Sequence, residues 1–172
     1  MAIRDQEEER LVAELESLGI RYLSRQTPER AERVRPPSVL IADLVRQPSG
    51  RVRAAVIAVL LSHPDYAEAV PAALEQLPPI ERQTLLLFYT AAVLLQEQYS
   101  SRLQPHVDVR QLPDRFAVDL DLPPTATVRE RLAALGRRHR QQTGIAVNWM
   151  GTYENVARCL LRSWELEAQW NR

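Results

Sequence analysis

Residues 52–61 read VRAAVIAVLL and residues 85–95 read LLLFYTAAVLL. Apart from Arg53 and Thr90 every position in the two runs is apolar, so a helix built from either presents hydrophobic side chains on nearly all sides and must be enclosed by other elements. Neither run approaches the roughly 20 apolar residues that a membrane span requires. Turn-forming residues frame them, with Pro48, Ser49 and Gly50 before the first, His63 and Pro64 after it, and Pro78 and Pro79 before the second. A chain of 172 residues, 45% of them apolar, can bury a core around two such helices. Five Gly against 12 Pro, with 6% aromatics, argue against sandwiches, barrels and glycine-rich nucleotide loops.

Outward from these runs the pattern stays helical. Leu11, Leu15, Leu18 and Tyr22 form one stripe and predict a helix from Asp5 to Ser24, with Asp5 and Glu8 at capping-box spacing and Arg21 and Arg25 at its end. Thr27 and Pro28 predict a short helix to about Val34, stopped by Pro36 and Pro37. Helices follow over Val39–Gln47, Arg51–Ser62, Pro64–Leu77 (kinked or restarted at Pro71) and Ile80–Leu103. Thr127 and Glu130 make a capping box for Val128–Gln142, and Gly144 is its stop. A last helix, Thr152–Trp170, carries Val156, Leu160 and Trp164 on its apolar stripe. Only between Pro105 and Pro124 does the period change: Phe116, Val118, Leu120 and Leu122 alternate with Ala117, Asp119 and Asp121, and Val107 and Val109 repeat this faintly. The expected fold is one all-α domain over residues 1–172, a HEAT-like or irregular helical bundle with a short β or extended insertion near 106–122.

The HEAT comparison rests on Ser38–Leu77, which resembles a single HEAT unit. It has a helix, a turn at Pro48–Gly50, and then Val52, Arg53, Ala54 and Ala55 opening a second, alanine-rich helix. The resemblance implies helix-pair packing and carries no ligand or partner with it.

The 22 acids balance 22 bases, so no global field draws the chain to nucleic acid or an anionic membrane. Every base is Arg and none is Lys, which reads as GC-rich coding and discounts arginine richness as functional evidence. Cys159 is alone, which excludes an internal disulfide and a multi-cysteine zinc site, and it reads as an inert helix-flanking thiol. Met1 to Glu9 is charged without an apolar stretch, so a cytoplasmic setting without a secretory signal is expected. No Walker loop, GxGxxG, GxSxG, HExxH, CxxC or EF-hand spacing occurs, and no cofactor or enzymatic activity is expected. His106 with Asp108 and Asp119 with Asp121 stand at i, i+2. On a strand that spacing reads as the solvated face of a half-buried strand, and the alternative is that the pairs seed a divalent-metal or acid-base site.

Charge is distributed unevenly. Residues 1–122 hold 14 Arg and 18 acids, net −4, whereas residues 123–172 hold 8 Arg and 4 acids, net +4. Arg137, Arg138 and Arg140 crowd with His139 onto one of the basic C-terminal helices (127–172), and Arg158 and Arg162 lie on the next. Trp149, Trp164 and Trp170 share this end, and Trp170, two residues before Arg172, is hard to bury internally. Arg and Trp are the types enriched at interface hot spots. The expectation is a non-enzymatic cytoplasmic interaction protein (adaptor, antitoxin-like inhibitor or regulatory subunit) that grips a protein partner through Arg137, Arg138, Arg140 and Trp170, without membrane association. The other reading is a nucleic-acid-binding protein that uses the same arginine helix on phosphates.

Overall fold

The computed structural model describes residues 2–24, 31, 33–108 and 110–172, and every regular element among them is helical. In chain order these are α1 (Ala2–Ser17), α2 (Pro37–Val45), α3 (Gly50–Arg53), α4 (Ala55–Ser62), a 3₁₀ segment (Pro64–Ala69), α5 (Val70–Glu75), α6 (Pro79–Gln98), α7 (Ser100–Leu103), α8 (Val128–Thr143) and α9 (Trp149–Trp170). No described helix is long and apolar enough to cross a membrane.

The two apolar runs organise the packing. All of Ala55–Leu61 on α4 is buried, and α2, the 3₁₀ segment, α6 and α9 cover it. The helix α6 buries Leu85, Leu87, Phe88, Tyr89, Leu94 and Leu95, among others, between α4, α8 and α9. A short connection, 144–148, folds α9 back along α8. Gly136 makes that approach close: a Cβ there would stand 3.1 Å from the Met150 backbone nitrogen. Contacts of α9 with α4 then close a ring through α4, α6, α8 and α9.

Both ends of α8 follow the expected chemistry. The Glu130 amide donates to Thr127 Oγ1 at 3.2 Å, the Thr127 amide donates to Glu130 Oε2 at 2.8 Å, and Gly144 takes φ +68° after the last turn. Other boundaries differ. The first helix begins at Ala2, which puts Asp5 inside its first turn instead of at a cap, and it stops at Ser17. Gly19 at φ +85° lets the Ile20 amide reach Leu15 O (2.9 Å) and the Gly19 amide reach Glu16 O (3.0 Å), a Schellman closure, so Tyr22 and Arg21 lie past the helix. Of the helix expected over 27–34, residues 27–30 and 32 lie outside the described residues, and Arg33 and Val34 are not helical. Pro71 falls at the start of α5, where its missing amide costs nothing, and the long helix breaks at Tyr99 before α7. The last helix starts at Trp149 and not at Thr152, because Asn148 Oδ1 accepts from the Gly151 amide at 3.0 Å.

Of the β or extended insertion expected near 106–122, the β form is not seen: no described residue lies in a strand. Side chains of α6 take the backbone bonds that a second strand would have supplied. Gln96 Nε2 donates to Arg110 O (2.9 Å), Gln96 Oε1 accepts from the Leu112 amide (2.8 Å), and the Tyr89 hydroxyl donates to Pro113 O (2.7 Å). Residues 116–122 then coil into turns, with Leu122 N bonded to Ala117 O and Asp121 at φ +54°. Ala117, Leu120 and Leu122 are buried and Val118 is exposed, a pattern that looks alternating in sequence and is not pleated. Val109's part in the alternation lies outside the described residues.

A polar clamp fixes the segment before α2. Arg35 Nε donates to Glu14 Oε1 (2.8 Å), one of its terminal nitrogens reaches Glu7 and Asp43 Oδ2 (2.7 Å), and its backbone amide donates to Glu14 Oε2 (3.0 Å). Burial opposes the guanidinium charge, but the bonds to Glu7 and Asp43 and the field of Glu14 outweigh it and raise the Arg35 pKa. Arg35→Ala leaves three carboxylates facing one another with Glu14 buried, and is expected to cost about 2–4 kcal/mol of stability, read from the urea midpoint, with Arg35→Lys costing less.

Candidate functional site

The strongest chemical singularity lies inside the α8–α9 corner. Leu132, Leu135, Gly136 and His139 form the buried stripe of α8, so His139 points inward although its sequence neighbours are arginines. It is 1% exposed. Trp149, the first residue of α9, stacks on the imidazole with ring centroids 3.5 Å apart and planes 8° from parallel, and Phe88 of α6 meets the ring edge-on at 5.6 Å. His139 Nδ1 and the Tyr153 hydroxyl share a hydrogen bond of 2.6 Å. Burial pushes the His139 pKa down to about 4, helped by the nearby Arg53 guanidinium, and burial raises that of Tyr153. Both groups are therefore neutral at physiological pH. A protonated imidazole would present a donor at Nδ1 and force the Tyr153 hydrogen to find another acceptor.

This cluster is packed solid against α6, and its chemistry is that of a latch: it sets the angle at which α9 leaves α8. The sequence contained the signal, since Leu132, Leu135 and His139 recur at three and four, but the adjoining arginines made His139 read as part of a basic helix end.

The four residues expected to bind a partner divide into three situations. Arg137 and Arg140 are exposed on α8 and have no partner among the described residues. Arg138 is half-buried, turned toward Asp121 Oδ2 at 3.8 Å. Trp170 is 86% exposed on the final turn of α9, beside Leu166 (45%), and with Arg21, Glu167 and Asn171 these line a shallow groove. Because His139 meets Tyr153 at one end of α9, the intervening 17 residues place Trp170 about 25 Å of helix away from the arginines. The expected anchors thus occupy opposite ends of the α8–α9 pair.

The residues weighed for a metal do not converge, and among the described residues no three His, Cys, Asp or Glu side chains gather as ligands. His106 lies against Trp164 at 5.6 Å, Asp121 faces Arg138, and Trp164 Nε1 donates to Gly19 O at 2.9 Å. Cys159 is half-buried with Sγ 3.8 Å from Asn155 Oδ1.

Comparison with known proteins returns no family model, no curated protein and no solved structure that matches the chain.

The latch makes stability depend on acid in a defined window. Between about pH 6.5 and about pH 4 the unfolded chain binds a proton at His139 that the folded chain refuses, so stability falls as pH drops through that interval, by about 3 kcal/mol in all, and this contribution is flat below it. Urea unfolding at both ends of the window measures the change, and a His139→Phe chain is expected to lose this share of it. Tyr153→Phe, which strands Nδ1 in the core, is expected to cost about 1–2 kcal/mol at neutral pH.

Proposed function

We propose that the chain is a non-enzymatic, cytoplasmic protein–protein interaction module, an adaptor, antitoxin-like inhibitor or regulatory subunit. The observation that carries the reading is Trp170: the largest side-chain type is 86% exposed, with exposed Leu166 one turn before it and Arg21 across the groove. Tryptophan and arginine around an apolar patch are the composition of an interface hot spot. For the architecture we keep the irregular helical bundle, supported by the closed ring of α4, α6, α8 and α9; α2 packs chiefly on α5 rather than on the helix it would pair with in a HEAT-type unit.

A second reading, nucleic-acid contact through α8, has its own support in the exposed and unpaired Arg137 and Arg140. Phosphate binding of that kind weakens steeply as salt rises, because it is driven by counterion release.

Affinity capture with the tagged chain at physiological salt, with and without nuclease, separates the two. The first reading expects one protein at stoichiometric recovery whatever the nuclease treatment, and recovery that fails with Trp170→Ala. Since Trp170 is exposed, the same substitution is expected to move stability by no more than about 0.5 kcal/mol in a thermal melt. Recovery of nucleic acid, or of proteins that vanish with nuclease, supports the second reading instead.

A further inference from the structure

We propose that the outer face of α8 and α9 is a docking surface for an acidic, amphipathic helix of the partner protein; this rests on the interaction reading above and assigns a second contact region to it. Four acids lie on these two helices and each has a hydrogen-bonding or charged partner. Glu130 serves the α8 cap, Glu154 accepts from Gln98, Glu165 is paired with Arg102 at 2.9 Å, and Glu167 with Arg21 at 3.3 Å. Arg131 and Arg138 are likewise turned to Asp114 and Asp121. Five arginines remain, Arg129, Arg137 and Arg140 on α8 and Arg158 and Arg162 on α9, all exposed and without a partner among the described residues. At 100° per residue the three on α8 fall within an arc of about 80° and span about 16 Å, and the two on α9 lie within about 40° of each other. The result is a row of positive charge on each of two packed helices, with no acid of their own helices free to answer it.

What separates a protein helix from a phosphate backbone here is the rest of the surface. The connection that joins the two rows exposes Ile145 (47%) and Val147 (44%). Apolar side chains at the end of a charged row match the apolar edge of an amphipathic helix and have nothing to gain from phosphates. Trp149 and Tyr153, the aromatics that would offer stacking platforms to exposed bases, are turned inward onto His139. Guanidinium groups at three- and four-residue spacing face carboxylates at the same spacing on a helix laid alongside, with bidentate geometry available at each.

Fluorescence anisotropy with the full chain tests this, using two probes: a synthetic helical peptide with glutamates on one face and leucines along its edge, and a short nucleic-acid duplex. The peptide is expected to bind more tightly than the duplex. Arg137→Glu with Arg140→Glu, and separately Arg158→Glu with Arg162→Glu, are each expected to weaken the peptide by about tenfold or more, and Ile145→Ser with Val147→Ser to weaken it as well. Arg10→Glu, an exposed arginine on α1, is the control and is expected to leave it within about twofold. Tighter binding of the duplex, no binding of the peptide, or an equal loss in the control overturns the assignment. The same charge-reversed chains in affinity capture distinguish the two levels of the reading. A partner recovered equally by the native and reversed chains removes this surface and leaves the interaction module standing, whereas no partner with either removes the module itself.

Discussion

A helix with no polar side cannot stop at one neighbour. The run Ala55–Leu61 has no face to give to water, so α2 and the 3₁₀ segment must cover one flank while α6 and α9 cover another. That requirement fixes the order of the rest. Because α6 is itself apolar over Leu85–Leu95, it needs a further cover, which α8 supplies, and α9 is drawn back to reach α4. Amphipathic elements sit on the outside, where one polar face suffices. On α8 and α9 the inner faces are committed to the core and the outer faces are left to charge.

The helices were legible in the sequence wherever one rule acted alone. Proline and glycine punctuation placed α2, α3 with α4, and α6, and the Thr127–Glu130 box with Gly144 bounded α8 to within a residue. Reading failed where a second interaction, a local cap or a tertiary contact, competed with the pattern. The stripe that includes Leu18 and Tyr22 continues past Ser17, but the left-handed Gly19 closes the helix and turns Tyr22 elsewhere. The alternation at 116–122 has the period of a strand, yet Gln96 and Tyr89 of α6 satisfy the backbone just upstream, so no pleated partner is required.

The same distinction applies to the candidate site. The exposure of Arg137, Arg140 and Trp170 agrees with what residue type and position suggest. Three things could not be read from these. That Arg138 is turned to Asp121 and that the acids of α9 are spent on Gln98, Arg102 and Arg21 are long-range facts. So is the 25 Å or so of helix between Trp170 and the arginines. A coding bias toward Arg over Lys bears on how many arginines there are. It does not explain which of them are left unanswered, and that depends on the fold.

One bond joins the extremes of the chain. Trp164 Nε1 donates to the carbonyl of Gly19, across 145 residues, and Arg21 pairs with Glu167 beside it. Contacts of such sequence separation carry the largest loop-closure entropy and are made late. The turn after α1 is also gripped from earlier in the chain, by Arg51, which donates to Tyr22 O at 3.1 Å, and by His63, which donates to Leu18 O at 2.9 Å. Residues 51–63 can therefore seat the α1 turn before α9 exists, and the bond from Trp164 closes over contacts already made.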